Sequence, residues 1–277
     1  MKPELWFSEL QNEDTKFSVR IRSHLFSKES KYQRIDVFET DFFGKVLTLD
    51  GCFMITEKDE FMYQEMISHP AMMSHKDPRD VLIIGGGDGG VAREVLKYPV
   101  KSLHLVEIDE DVISASKVHL PEIASSFEDK RVKVFNQDAF EFVDSAGKYD
   151  VIIVDSTDPI GFAASLFSSV FYMKARNILR EDGIIVTQSG SPFMNPSHIQ
   201  KAFKGLSEHF KFVKPYLSFV PSYPSGMWSY IIASNSEISM RRKFTGQYMN
   251  EEIYKSLFNL PEFVKKIIYE KDGATLS

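Results

Sequence analysis

From residue 80 onward the chain alternates short apolar runs with stretches of helical spacing, and that rhythm leaves few folds open. The runs are DVLIIGGG (80–87), SLHLVEID (102–109), RVKVF (131–135), YDVIIVD (149–155) and GIIVTQS (183–189). Between them, GVAREVLKY (90–98) and the segments near 110–118 and 166–179 carry helix patterns. Apolar runs of roughly four to eight residues separated by helices predict βαβ units around a parallel sheet buried on both faces. The expected fold class is therefore α/β, doubly wound.

Residues 1–55 read differently. TKFSVRIRSHLFS, KYQRIDVFET and KVLTLDGCFMIT are rich in β-branched and aromatic residues, with DFFG and LDG as turn signals. They predict a small antiparallel β unit. Residues 58–75 place apolar side chains at helical spacing and predict a connecting helix. The rhythm changes within 56–78, so the division is expected at 1–56 and 57–277. A chain of 277 residues accommodates one large domain with a smaller attachment and buries roughly 75% of its unfolded surface.

The formal charge of −6 opposes nucleic acid as a partner and suits a cationic small ligand. Cys52 is the only cysteine, which rules out an intrachain disulfide and a metal-thiolate cluster. The stretch MKPELWFSELQNEDTKF lacks a signal-peptide core, and no run reaches the ~18 apolar residues of a membrane helix. Cytoplasmic localisation without membrane contact is the expectation.

In a doubly wound sheet, ligands bind at the C-terminal strand ends, near the point where strand order reverses. Here those ends carry acids. The first ends in GGGDGG (85–90) with Asp88 inside, and the second in Glu107 and Asp109. Asp138 follows the third, and Asp155 and Asp158 follow the fourth. Glu107 stands twenty residues after Gly87, a spacing that suits an acid on ribose hydroxyls. Asp109 reads better as an N-cap, and Asp138 could be a turn-stabilising residue. A pyrophosphate beside Asp88 would meet repulsion of up to ~4 kcal/mol at ~4 Å in an effective dielectric of about 20. A nucleoside carrying a positive charge, such as a sulfonium, would be attracted.

Seven stretches together resemble the spermidine synthase family of polyamine aminopropyltransferases. They are LDGCFMITEKDEFMYQEM (49–66), GGGDGG (85–90), VEID (106–109), QDAF (137–140), YDVIIVDSTDPIG (149–161), PSYPSGMWS (221–229) and MNEEIYKSLFNLPEFV (249–264). The resemblance implies a Rossmann-like, methyltransferase-type sheet with helices on both faces, preceded by a small antiparallel β domain. It also implies transfer of an aminopropyl group from decarboxylated S-adenosylmethionine, a co-substrate, to putrescine, without cofactor or metal. By the same resemblance Glu107 would take the ribose hydroxyls, Asp138 the adenine amino group and Asp88 the aminopropyl ammonium, with Ala139 also in the donor site. Gln33, Gln64 and the loop glycines Gly85 and Gly87 would complete the donor site. Tyr63, Asp155, Asp158 and Tyr223 would form the acceptor site, with Asp155 as base and Tyr63 orienting the amine. Residues 157–167 would be a gatekeeping loop, and the N-terminal strands would help build a homodimer or homotetramer. Two departures from the family pattern stand out: Phe162 replaces a loop proline, and Met54 replaces a glutamine near the donor.

Other acceptors (agmatine, cadaverine, spermidine) stay open at this point. An S-adenosylmethionine-dependent N-methyltransferase would share the fold, Glu107 and Asp138, but should lack Asp88. A polyamine-binding scaffold would be expected to lose Tyr63, Asp155 or Asp158, and a nicotinamide dehydrogenase is opposed by Asp88. His24, His69, His75, His104, His119, His198 and His209 show no ligand spacing and are expected at the surface or in packing. Trp228 is expected in the core, residues 240–243 on a solvated face, and Trp6 resembles a position flanking the acceptor pocket.

Overall fold

The computed structural model describes residues 4–157 and 161–269. Five strands form an N-terminal antiparallel meander in chain order: β1 (Leu5–Leu10), β2 (Lys16–Glu29), β3 (Arg34–Thr40), β4 (Gly44–Leu49) and β5 (Cys52–Thr56). The β4–β5 hairpin turns on Asp50 and Gly51, both left-handed at φ 49° and 81°. Two positive φ values are what a tight two-residue hairpin needs, and Asp-Gly supplies them at low cost. The sheet curls until Glu9 of β1 accepts the Phe53 N–H of β5 at 2.9 Å.

The second unit begins with α1 (Glu60–Ser74) and β6 (Asp80–Gly85), followed by α2 (Gly90–Val95), β7 (Ser102–Glu107) and α3 (Glu110–His119). Next come β8 (Val132–Asn136), α4 (Ala139–Ser145), β9 (Tyr149–Asp155), α5 (Ser169–Ile178) and β10 (Leu179–Gln188). The order finishes with α6 (Pro196–Ser207), β11 (Phe212–Phe219), β12 (Met227–Ser234), α7 (Glu251–Ser256) and α8 (Glu262–Tyr269). Short 3-10 turns occupy Ala124–Glu128 and Gly161–Phe167. The strand order is β11-β12-β10-β9-β6-β7-β8. The five strands from β10 to β8 pair in parallel, and β12 runs antiparallel to both of its neighbours. The sheet is therefore mixed at one edge, where the sequence rhythm predicts only parallel pairing.

Strand alternation explains the two-sided burial. Val81, Ile83, Val151 and Ile153 pack on one face against α1 and α2, while Leu82, Ile84, Ile152 and Val154 pack on the other against α4 and α5. All eight are fully buried, each contributing roughly 1.5–3 kcal/mol of burial. A smaller core joins the units: Ile35, Val37, Leu47, Leu49 and Ile55 cover Val112 and Ala115 of α3. This packing sets the N-terminal sheet over the C-terminal ends of the parallel strands. Among the described residues, no helix is long and apolar enough to cross a membrane.

Glu65 of α1 anchors the chain beyond β12. Its buried carboxylate accepts the backbone N–H groups of Gln247, Tyr248 and Met249 at 2.9, 2.9 and 2.8 Å. Glu65→Ala would leave three amides without partners, and we expect a loss of about 3–5 kcal/mol. Urea unfolding should show a lower midpoint with unchanged m-value, and an unchanged midpoint would contradict the anchoring role.

Candidate active site

Strand order reverses at β6, with β7 and β8 on one side and β9 and β10 on the other. In a doubly wound sheet that switch point opens a crevice at the strand ends. Gly85 and Asp155 are register partners across it. Gly85 has φ +82°, and a Cβ there would lie 2.0 Å from the Asp155 carbonyl oxygen. The glycine thus permits two backbones to approach where no other residue would fit. The loop continues into α2, with Asp88 Oδ1 accepting the Gly90 N–H at 2.7 Å and the Gln64 amide Nε2 at 3.0 Å. The Oε1 of Gln64 is buried and without a hydrogen-bond partner.

Tyr63 and Gln64 are consecutive on α1 and reach neighbouring groups. The Tyr63 hydroxyl donates to Asp155 Oδ1 at 2.5 Å. Burial and the Asp155 charge hold the Tyr63 phenol well above its ordinary pKa, so it stays a donor. Tyr223 lies beside it, its ring tilted by 56° at 5.4 Å between centroids, and donates its hydroxyl to the Met54 carbonyl at 2.7 Å. Trp228 meets Tyr223 edge-on at 4.7 Å, and its buried indole N–H has no hydrogen-bond partner.

These groups line one cavity of about 410 Å³. Among the described residues its wall includes Glu9, Asp50, Asp88, Glu107, Asp138 and Asp155, six carboxylates, and no lysine, arginine or histidine. The deeper acids repel one another. Burial, then the charge of Asp88, with a further contribution from Glu107, pushes Asp155 up to about 8 despite the Tyr63 hydrogen bond. Burial and the charges of Asp109 and Asp88 push Glu107 up to about 7 against its backbone hydrogen bonds. Burial also raises Asp88, opposed by the Gly90 N–H and the charge of Arg93. A site built this way stabilises cations, and a ligand carrying positive charge relieves its repulsion.

The Spermine/spermidine synthase domain matches residues 60–244, and the Spermidine synthase tetramerisation domain matches residues 5–57. The chain belongs to the spermine/spermidine synthase family. It is an aminopropyltransferase. Similar relatives include a polyamine aminopropyltransferase of Caldicellulosiruptor saccharolyticus, 44% identical over 273 residues, covering 96% of this chain and 98% of the relative. One from Thermoplasma volcanium is 43% identical over 268 residues, covering 96% and 98%. Among solved structures, a spermidine synthase in complex with the transition-state analogue AdoDATO superposes with a TM-score of 0.90 at 38% identity, covering 95% of this chain and 94% of that one. The spermidine synthase of Thermotoga maritima gives 0.88 at 37%, with coverage of 95% and 94%.

Within this family frame, the cavity gathers Gln33, Tyr63, Gln64, Gly85, Gly87, Asp88, Glu107, Asp138, Ala139, Asp155 and Tyr223 of the sequence-expected site. Asp158 lies outside the described residues, as does the side chain of Phe162. Gly87 leaves room for Glu107, whose Oε2 would stand 3.0 Å from a Cβ there. Asp138 both lines the cavity and caps α4, accepting the Phe140 N–H at 2.7 Å. Asp109 caps α3 as expected and also accepts Ser30 Oγ at 2.7 Å and Gln33 Nε2 at 3.0 Å. Gln33 thus reaches the cavity wall with its amide nitrogen already engaged. The side chain of Met54 contributes apolar surface, and its carbonyl orients Tyr223.

Several residues carried no sequence signal. Glu9 reaches the cavity from β1, and Gln188 bonds the Ser156 carbonyl at 2.9 Å. Trp6 is 56% exposed and is not among the lining residues, contrary to the expectation that it flanks the acceptor pocket. Trp6 and Glu9 are an odd number apart, so a strand turns them to opposite faces. Trp228 is buried as expected but also lines the cavity. Among the described residues, one trio, Glu65, His69 and Glu94, has potential metal-ligand atoms within 4.8 Å of one another. Its donors are already engaged: Glu65 by three amides, and Glu94 by His69, Arg93 and Lys97. His69 is thus a packing histidine, against Phe244 at 3.7 Å.

Gly85→Ala should force β6 from β9 and cost roughly 3 kcal/mol or more. We expect lower thermal stability together with a loss of turnover of about 10²-fold. Wild-type turnover in the variant would show that the close approach is not needed.

Proposed function

We propose that the chain transfers the aminopropyl group of decarboxylated S-adenosylmethionine to putrescine, yielding spermidine and methylthioadenosine, with Asp155 as general base. The observation that carries this reading is the cavity wall, which among the described residues holds six carboxylates and no basic residue. Both substrates are cations, and neither carries phosphate or carboxylate. The relative solved with AdoDATO supports a donor-and-acceptor site in the same fold.

In this reading Glu107 takes the ribose hydroxyls, while Asp138 and Ala139 border the adenine. Asp88 and the unpartnered Oε1 of Gln64 accept the ammonium of the aminopropyl arm, and Gln33, Gly85 and Gly87 shape the donor pocket. Ordinary S-adenosylmethionine brings a carboxylate to that arm, which Asp88 repels. An N-methyltransferase needs the opposite charge here. Tyr63 and Tyr223 supply aromatic surface for a diamine, and Asp155 with Asp158 supplies its charge partners.

Asp155 removes a proton from one ammonium of the acceptor. The freed nitrogen attacks the methylene carbon next to sulfur; the C–S bond breaks, and its electron pair stays on sulfur. A neutral thioether leaves, so the step calls for neither a general acid nor a metal or cofactor. Raising Asp155 from 3.8 to about 8 brings it much closer to an alkylammonium near pKa ~10. The proton-transfer penalty then falls from roughly 8 to roughly 3 kcal/mol. Tyr63 holds Oδ1, which leaves Oδ2 for the amine.

We further propose a cytoplasmic homodimer or homotetramer, the assembly supported by the tetramerisation match over residues 5–57. Size-exclusion chromatography with light scattering reads the assembly.

The activity test is methylthioadenosine release from the decarboxylated donor across putrescine, cadaverine, agmatine and spermidine, with putrescine expected fastest. No release with any amine would sink the reading. Asp88→Ala should reduce the preference for the decarboxylated donor over S-adenosylmethionine by on the order of 10²-fold in a competition assay. Equal selectivity in variant and wild type would remove Asp88 from donor choice.

Asp155→Asn should lose turnover by about 10²-fold or more while still binding donor. In the wild type, kcat/KM for the acceptor should rise with pH through about 8, because the base must be ionised. That limb should vanish in Asp155→Asn, and its persistence would exclude Asp155 as base.

A further inference from the structure

An aspartate placed before a helix ordinarily caps it by accepting an N–H of the first turn. Asp59 precedes α1, yet its side chain makes no such bond. The residue is 3% exposed, and its carboxylate is turned to other partners. Oδ1 accepts the Thr56 hydroxyl at 2.6 Å, and Oδ2 accepts the Ser222 N–H at 2.8 Å. One buried carboxylate thus joins the end of β5, the start of α1 and the turn between β11 and β12.

Each of these segments bears on the aromatic wall of the cavity. Tyr63 lies four residues beyond Asp59, about one turn along α1. Tyr223 directly follows Ser222, and its hydroxyl donates to the Met54 carbonyl of β5 at 2.7 Å. Backbone bonds close the turn on itself: Tyr223 N–H to Val220 at 3.0 Å, Gly226 N–H to Tyr223 at 2.8 Å, and Val220 N–H to Gly226 at 2.8 Å. Two hydrogen bonds then seat this closed turn against β5 and α1, one at the Tyr223 hydroxyl and one at the Ser222 N–H. The Ser222 hydroxyl is buried without a partner and adds nothing to the joint.

We propose that Asp59 is a positioning residue for the acceptor: by holding the β11–β12 turn against the start of α1, it sets the gap between Tyr63 and Tyr223. Their ring centroids stand 5.4 Å apart. Asp59 is not among the residues that line the cavity, so it acts through the two tyrosines and not on a substrate. The proposal rests on Tyr63 and Tyr223 forming the acceptor wall. Asp88, Glu107 and Asp138 of the donor site follow or end β6, β7 and β8, across β9 from β11 and β12. Loosening the turn therefore acts on the acceptor and spares the donor.

The test is steady-state kinetics with putrescine and the decarboxylated donor, alongside thermal unfolding, in Asp59→Ala, Asp59→Asn, Thr56→Val and Tyr223→Ala. Asp59→Ala frees the turn, and the putrescine KM should rise about tenfold with the donor KM unchanged. Asp59→Asn removes the charge but can keep both contacts: its Oδ1 takes the Ser222 N–H, and its Nδ2 donates to a reversed Thr56 hydroxyl. That hydroxyl then lacks an acceptor for its own hydrogen. Thermal stability should fall, while the putrescine KM returns to within about twofold of wild type. Thr56→Val removes one contact and should raise the putrescine KM about threefold; it carries the test if Asp59→Ala does not fold. A putrescine KM that rises together with the donor KM, or that follows thermal stability across the variants, marks a merely structural joint and overturns the proposal. An equal rise in Asp59→Asn and Asp59→Ala overturns it too, because charge and not geometry is then acting. If Tyr223→Ala leaves the putrescine KM unchanged, the acceptor-wall reading and this proposal fall together. A raised KM in Tyr223→Ala, with an unchanged one in Asp59→Ala and Thr56→Val, removes this proposal alone.

Discussion

The active site depends on one close approach of two backbones. β6 and β9 are neighbours at the point where strand order reverses, and their register brings Gly85 against Asp155. The Gly86 N–H donates to the Asp155 carbonyl at 3.0 Å, which locks the loop onto the end of β9. With that lock in place, Asp88 and Glu107 fall within electrostatic reach of Asp155. α1 crosses at the right height to bring Tyr63 to Asp155 and Gln64 to Asp88.

The result is a site that works against its own stability. Asp155 and Glu107 carry pKa values pushed up to about 8 and about 7 by burial and by neighbouring carboxylates, Asp88 among them in both cases. A carboxylate with a raised folded-state pKa contributes stability below its unfolded pKa and loses it as pH rises through the folded value. For these two the loss runs from about pH 4 to about 8, the range in which the acids acquire charge. Strain of this kind is expected where a binding site concentrates one sign of charge. A cation bound among these carboxylates would relieve that repulsion.

Much of this was legible in the chain. The apolar rhythm after residue 80 marks the parallel strands, because a strand buried on both faces must be apolar throughout. GGGDGG and the acids after YDVIIVD mark the strand ends, because glycines and carboxylates at such positions have few structural excuses. Asp109 was recognisable as an N-cap from its place before a helix. Other parts left no local mark. β12 runs antiparallel, although its apolar residues would serve either direction equally well. Glu9 sits in an edge strand 44 residues from Phe53, the motif residue that it joins, and only the curl of the N-terminal sheet brings it to the cavity. The engagement of Gln33 by Asp109 and that of the Ser222 N–H by Asp59 are pairings between distant segments.

The sequence by itself determined the layered α/β architecture, the glycine loop and the identity of the acids, since these follow from periodicity and from residue chemistry at strand ends. Only the tertiary structure decided how the acids act on one another. Burial and separation set whether a carboxylate is a spectator, an anchor or a base, and neither is a local property of the chain. Asp155 reads as an ordinary aspartate in sequence. Its carboxyl is pushed up to about 8 because the fold buries it with Asp88 and Glu107 in a cavity that, among the described residues, is lined by no cation.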